Sequence, residues 1–269
     1  MINEKKNVIT PIKQFGQLVL NDTNLLKKIV SIPGDITKGS TIEIGPGMGS
    51  LTKEILNANA NIIAIEKDQR MKDSLHRLCN LWPKKLTLIF DDALKIKIHK
   101  IGNKPRRVIA NLPYNIGTEI LVRCLEKPNH FSSLTIMLQK EVAERIIAKP
   151  GSKNYGRLSI LAGWHWKPKI VLRVNASSFI PPPKVDSAVI HLQPSKKPVS
   201  KAKLKTLSEL TRVSFSNRRK MLRSSLKMLG NAGEICSLTG IDSSKRPQDL
   251  TIQEFCSIAR VLDNKKPDL

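Results

Sequence analysis

Thr41-Ile42-Glu43-Ile44-Gly45-Pro46-Gly47-Met48-Gly49 is the stretch that decides the fold of this 269-residue chain. An apolar run over 41–45 reads as a buried strand and delivers the chain into a glycine-rich turn. The next segment, 50–57, has helical spacing. Glycines let the backbone turn sharply and bring main-chain N–H groups close to a ligand. The spacing is G-x-G-x-G, with Ser50 where a dinucleotide fingerprint needs its third glycine, which argues against NAD. The chain also shows no acid–base set suited to hydride transfer.

Working outward, the apolar runs 62–66, 86–90, 107–111 and 134–139 read as further buried strands. Segments 68–81 and 118–125 between them read as helices. Alternating strands and helices predict βαβ units and a mostly parallel sheet, with functional residues at the strand C-terminal ends. Glu66 ends the second of these strands, where a carboxylate can accept hydrogen bonds from both ribose hydroxyls of an adenosine-type ligand. Asp91-Asp92 end the third, where a carboxylate can take an adenine amino hydrogen. Each acid alone is more often a cap or a solvated loop residue. Three consecutive strand ends together resemble the S-adenosylmethionine site of class I methyltransferases.

The pattern changes after residue 150. Segments 156–165 and 187–192 read as strands, joined by a loop containing Pro181-Pro182-Pro183, which is rigid and poor in donors. Gln193 to Lys205 holds Pro194, Pro198 and five lysines and reads as a linker. From about 202 to 264 the reading is helical. The boundaries follow: a methyltransferase domain over 1–195 and a basic helical domain over 196–269.

Charge points to the partner. The chain carries 46 Lys+Arg against 22 Asp+Glu, a formal +24, which suggests a polyanion and first of all nucleic acid. Residues 196–269 hold 16 Lys+Arg and 7 Asp+Glu. Within them no acid occurs from Leu210 to Gly233, while Arg218, Arg219, Lys220, Arg223 and Lys227 do. The i, i+4, i+8 spacing of Arg219, Arg223 and Lys227 places them on one face of a helix. An unopposed basic face suits phosphate contacts better than internal salt bridges. Aromatics are only 4%, so stacking platforms are not the main binding device. No apolar run is long enough to cross a bilayer, and residues 1–10 show no apolar signal region. Cys79, Cys124, Cys236 and Cys256 are far apart and read as reduced thiols of a cytoplasmic protein, with no metal site.

Asn111-Leu112-Pro113-Tyr114 ends the fourth strand. In isolation it reads as a turn. Following a methyl-donor site, it resembles the Asn/Asp-x-Pro-aromatic motif of methyltransferases that act on exocyclic amino nitrogens. The adenine N6 lone pair is delocalised into the ring and is a poor nucleophile. The Asn111 oxygen and a main-chain carbonyl near Pro113, accepting from N6–H, favour a pyramidal nitrogen whose lone pair faces the methyl group. Positioning supplies most of the effect, since a sulfonium leaves without an acid. Tyr114 is placed to stack on an extruded base.

Over nearly its whole length the chain resembles the KsgA family of small-subunit ribosomal RNA adenine dimethyltransferases. The matching segments are Phe15-Gly16-Gln17, Glu43 to Gly47, Asn111 to Asn115, Met137 to Val142, Tyr155 to Ser159 and Phe179 to Ser187. Asn217 to Lys220 and Arg246 to Leu250 extend the match into the tail. The resemblance implies S-adenosylmethionine as cofactor and transfer of four methyl groups to two adjacent adenines in a hairpin near the 3′ end of the RNA. It also implies a monomer acting on an immature small ribosomal subunit in the cytoplasm, away from membranes. It assigns Gly45, Gly47, Glu66, Asp92 and Asn111 to the cofactor, with main-chain contacts at Leu18 and Leu20. It sets Phe179 opposite Tyr114 across the target adenine. One departure stands out: Gln17-Leu18-Val19-Leu20 replaces the family's Gln-Asn-Phe-Leu, and Leu18 has no amide to offer. Two rivals follow from the same residues. One is a large-subunit RNA adenine methyltransferase; the other is a ribosome-assembly factor with little catalysis.

Overall fold

The computed structural model describes residues 19–20, 22–216 and 220–265. A seven-stranded sheet carries the candidate site. Its strands are β2 (Ser40–Ile44), β3 (Ile62–Glu66), β4 (Leu86–Phe90), β5 (Arg106–Asn111), β6 (Ser133–Gln139), β7 (Trp166–Val174) and β9 (Ser187–Pro194). They lie in the order β4-β3-β2-β5-β6-β9-β7. The pairs β2–β3, β2–β5, β3–β4 and β5–β6 are parallel, with Ile42 opposite Ile63 and Val108, and Asn111 opposite Met137. Parallel strands need crossovers, and α2 (Ser50–Asn57), α3 (Lys72–Leu81) and α4 (Gly117–Leu125) supply them. A separate two-residue pairing joins β1 (Val19–Leu20) to β8 (Phe179–Ile180), antiparallel, with Leu20 opposite Phe179. This is the expected α/β architecture. Each strand and helix read between residues 41 and 139 forms within one residue of its expected ends, apart from a 3-10 turn at Gln69–Met71 before α3.

The strands form where they were expected because β2, β5 and β6 are buried almost throughout, so each is a short, near-continuous apolar run. β5 begins with two buried arginines. Arg107 donates to the Ile36 and Lys38 carbonyls at 2.9 Å each, and Arg106 Nη2 donates to Gly102 O at 2.7 Å. These guanidiniums are satisfied by carbonyls, which fixes the end of β5 opposite the candidate site. Gly39, just before β2, has φ +73°, and a Cβ there would lie 2.0 Å from Pro105 O. Gly39→Ala is therefore expected to destabilise the fold by several kcal/mol, since that contact is to backbone and cannot give way. A denaturant melt checks it.

By packing, the chain divides into two units. The first comprises Met1–Leu121, His130–Lys140 and Val171–Ile190; the second comprises Val122–Asn129, Glu141–Ile170 and His191–Leu269. In the first, a core around Ile29, Ile55, Ile62, Ile109, Met137, Phe179 and Val189 joins α1 (Thr23–Ser31) and α2 to the sheet. The second unit has its own core. Tyr155, Ile160 and Trp164 pack with Leu207, Leu210, Leu222, Ile235, Phe255 and Ile258. These come from α6 (Arg157–His165), α7 (Leu204–Ser216), α8 (Leu222–Leu226), α9 (Ala232–Thr239) and α10 (Ile252–Lys265), with Tyr155 just before α6. The charge-based boundary at residue 195 does not mark this division, because residues 141–170, with α6 and most of α5 (Lys140–Ile147), group with the tail helices.

Two expectations are corrected here. Segment 156–165 is helix α6, not a strand; the strand begins only at Trp166. Ser159, Ile160, Leu161, Ala162, Trp164 and His165 are all buried, so the helix is apolar around most of its circumference and carries no amphipathic period. The basic face spaced at 219, 223 and 227 does not form on one helix. α7 ends at Ser216 and α8 starts at Leu222, with Lys220 and Met221 between them outside any helix. The cause is tertiary: the Leu222 and Arg223 N–H groups donate to Lys245 O and Ser243 O at 2.8 and 3.2 Å, which sets the start of α8. Arg223 and Lys227 still stand one turn apart; Arg218 and Arg219 lie outside the described residues.

Candidate active site

The turn after β2 is shaped by glycines with positive φ. Gly45 has φ +69° and donates to Ile65 O at 2.9 Å, and a Cβ on it would lie 3.2 Å from both Cγ and Cδ of Pro113. The turn therefore abuts the Asn111–Tyr114 segment. Gly47, φ +56°, has open space beside it, and its N–H points at the Glu66 carboxylate, 3.0 Å from Oε2. Glu66 is also held by the N–H groups of Lys67 and Asp68, both 2.8 Å from Oε1. A carboxylate offers about four acceptor sites. Oε1 is filled by two N–H groups and Oε2 keeps one vacant site. Oε2 is thus the Glu66 oxygen that keeps acceptor capacity for a ribose hydroxyl.

Asp92 follows β4. Its Oδ1 accepts from the Leu94 N–H and its Oδ2 from Lys67 Nζ, both at 2.9 Å. The Lys67 ammonium, and then the Leu94 N–H, hold the Asp92 carboxyl below its ordinary value. Lys67 carried no signal in the sequence, because the strand-end acid next to it drew the reading. In Lys67→Met the Asp92 carboxyl is expected to titrate closer to its usual range. Carbonyl-carbon NMR reads that shift, and an unmoved titration would remove Lys67 from the site. The next residue pair, Asp68 and Arg70, is paired at 2.6 Å and fixes the loop after β3.

Glu43 lies on β2, is 1% exposed, and its Oε2 meets no hydrogen-bond partner among the described residues. Burial pushes its carboxyl up to about 8, with Thr52 opposing and Glu66 adding repulsion. Between pH 4.5 and about 8 the unfolded chain gives up this proton while the folded chain keeps it. Stability contributed by Glu43 therefore falls as pH rises through that window. Glu43→Gln is expected to raise Tm by about a few degrees at pH 8 and by nothing at pH 4, read by melting at both.

Asn111 ends β5 half-buried, and Pro113 O accepts from the Ile116 and Gly117 N–H groups at 3.2 and 2.8 Å as α4 begins. That carbonyl is committed to starting the helix and is not the expected acceptor for N6–H. Tyr114 is half-buried, with its hydroxyl 2.5 Å from Ser187 Oγ. Burial raises the Tyr114 pKa, and the Ser187 contact opposes the shift. Ser187 belongs to the segment Phe179 to Ser187, but only the tertiary structure joins it to Tyr114. That loop is closed by Asp186, whose Oδ1 accepts from Ala176 N at 3.1 Å and whose carbonyl accepts from Lys140 N at 2.9 Å.

Phe179 is 1% exposed and belongs to the core, so its ring offers no face to a base in this structure. Leu20 is likewise buried, at 4%, while Leu18 lies outside the described residues. A cleft of about 310 Å³ is lined by Gly45, Glu66, Lys67, Asp92, Pro113 and Asn115, among others. It unites three strand ends with Pro113 of the Asn-x-Pro-Tyr segment, while Gly47, Asn111 and Tyr114 are not among its lining residues. A larger hollow of about 370 Å³, lined by Val30, Asp35, Thr37 and Glu54 among others, contains none of the candidate residues. Among the described residues no cluster of three His, Cys, Asp or Glu side chains suits a metal, and no helix is long and apolar enough to cross a membrane.

Comparison with known proteins adds the context for this cleft. A family model described as ribosomal RNA adenine dimethylase matches residues 10–264. The ribosomal RNA small subunit methyltransferase A of Rhodospirillum rubrum is 42% identical over 252 residues, covering 93% of this chain and 88% of that protein. Its namesake from Zymomonas mobilis is 44% identical over 251 residues, covering 92% and 90%. Among solved structures, a dimethyladenosine transferase from Plasmodium falciparum superposes with a TM-score of 0.73 at 28% identity, covering 92% of this chain and 98% of that one. The 23S rRNA methyltransferase ErmE has a TM-score of 0.66 at 22% identity over 91% and 99%, a likeness of fold.

Proposed function

We propose, because this chain belongs to the ribosomal RNA adenine dimethylase family, that it is the S-adenosylmethionine-dependent enzyme that dimethylates adenine N6 in small-subunit ribosomal RNA. In the finer reading the targets are two adjacent adenines in a hairpin near the 3′ end. The substrate is an immature small subunit, met by a monomer in the cytoplasm. The observation that carries this reading is the packing of Gly45 against Pro113. It makes the glycine-turn cleft and the Asn-x-Pro-Tyr segment neighbours, as transfer between a cofactor and a base requires.

The residues present fit an adenosine-type methyl donor. The vacant site on Glu66 Oε2 suits a ribose hydroxyl, and the Asp92 carboxylate suits the adenine amino group. Gly47 leaves the backbone open to close approach. When bound, such a donor would supply an electrophilic methyl group on a sulfonium, a leaving group that needs no acid. The chain's own task is to hold the target nitrogen. Asn111 accepts from N6–H together with a main-chain carbonyl near Pro113, other than Pro113 O itself, which is committed to α4. Tyr114, steadied by Ser187, stacks on the base. The proton released from the methylated nitrogen passes to solvent. Arg218, Arg219, Lys220, Arg223 and Lys227 bind RNA phosphates; of these, Lys220, Arg223 and Lys227 lie within the described residues.

The test is transfer of labelled methyl groups to purified, undermethylated small subunits, followed by mapping of the modified bases. Two dimethylated neighbouring adenines are the expected result. Label only in large subunits would establish the large-subunit rival. Binding without label would establish the assembly-factor rival.

A further inference from the structure

The segment between β9 and α7 has the composition of a flexible linker, rich in proline, serine and lysine. The structure fastens it instead. Ser195 N donates to His165 O and Val199 N to Trp164 O, both at 2.8 Å. The Trp164 indole donates to Ser200 O at 2.9 Å. From α10, Arg260 Nη1 donates to Lys201 O at 2.7 Å and to Ser200 Oγ at 3.0 Å. Ala202 and Leu204 pack against the helical core, while Lys201, Lys203 and Lys205 between and beside them are exposed. Lys196 and Lys197 are exposed as well. Five lysines thus stand on a strap whose backbone is tied down along its length.

No acid occurs from Ser187 to Ser208. Among the described residues none of the five lysines takes part in an ion pair. Alternate residues are at most about 7 Å apart along a chain. That is inside the roughly 8 Å Debye length at physiological salt, so neighbouring ammonium groups repel one another. Lys203 and Lys205 also flank the start of α7, whose first turn has no acid, where helix charge disfavours cations. A surface selected for stability alone would not collect charge in this way. A surface that meets phosphates gains from it, because a pre-ordered strap spends no backbone entropy on binding.

We propose that the strap 195–205 is a second RNA-binding element, in which Lys196, Lys197, Lys201, Lys203 and Lys205 contact backbone phosphates of the small-subunit RNA. The proposal rests on the ribosomal RNA substrate proposed above. It adds a contact surface distinct from the basic segment 218–227 and from the methyl-transfer cleft.

The test measures binding of the full chain to protein-free small-subunit RNA over a range of salt, for wild type and for a Lys201→Gln, Lys203→Gln, Lys205→Gln variant. Each phosphate contact contributes about 0.7–0.9 to the slope of log affinity against log salt. The triple variant is expected to lose about two units of slope and at least tenfold in affinity. Its melting temperature should equal or exceed that of wild type, and its affinity for S-adenosylhomocysteine should match wild type. The corresponding triple Lys→Arg variant should keep the full slope. An unchanged slope on protein-free RNA overturns the proposal. So does a loss that appears only on intact subunits, which would assign the strap to an acidic protein. Methyl transfer by the wild type to the same subunits is scored separately. Its failure would sink the proposed function while leaving the slope comparison readable.

Discussion

Replacing Asn111 with alanine is expected to slow methyl transfer by about 10²–10³-fold, the cost typical of removing one pre-aimed polar group from a reacting centre. Asn111 sits at the C-terminal end of β5, in register with Met137 of β6, and β5 is buried from Arg106 to Ala110. A strand held this firmly aims the side chain without loss of entropy on substrate binding. The same change should alter S-adenosylhomocysteine affinity by less than tenfold and leave RNA binding intact. That split separates an effect on the reacting nitrogen from an effect on the cleft. Asn111→Asp keeps an acceptor oxygen at the same place and should retain much more activity than the alanine variant. Normal turnover in Asn111→Ala would remove the proposed polarisation of N6.

Phe179→Ala is expected to lower stability by about 3–5 kcal/mol, the range for emptying a buried phenylalanine site. The ring is 1% exposed and shares its cluster with Leu20, Met137, Val174 and Val189. Stability loss alone says nothing of a role with substrate, so a second variant is needed. Phe179→Leu keeps most of the apolar volume and should cost less than about 1.5 kcal/mol. If the ring stacks on the target adenine, Phe179→Leu should still lose about tenfold or more in transfer, since base–aromatic stacking is worth about 1–3 kcal/mol. Stacking requires the ring to leave the core. The main obstacle is the burial it would give up; the two-residue β1–β8 pairing beside it adds little. A Phe179→Leu variant with full turnover would confine Phe179 to packing.

What the sequence records of this fold sorts by range. β2, its glycine turn and α2 were legible because every signal is local: an apolar run, glycines at positions with φ above +50°, then helical spacing. The same holds for Glu66 and Asp92, which stand at strand ends that the period of the chain already marks. Segment 156–165 was not legible, because a helix buried on nearly all sides and a buried strand write the same apolar run. The basic run failed for another reason. Its spacing is helical, but the N–H groups that begin α8 are taken by residues 243 and 245, some twenty positions away.

The sequence by itself determined the parallel α/β sheet, the order of its elements up to residue 139, and which strand ends carry acids, glycines and the Asn-Leu-Pro-Tyr segment. The tertiary structure alone decided how those groups are spent. It put Pro113 against Gly45, filled three of the four acceptor sites on Glu66, set Lys67 on Asp92 and Ser187 on Tyr114, buried Phe179 and pinned the lysine strap. Secondary structure follows from backbone preferences and apolar period over a few residues. Hydrogen-bond satisfaction and burial depend on partners brought together from distant parts of the chain, and no local pattern records them.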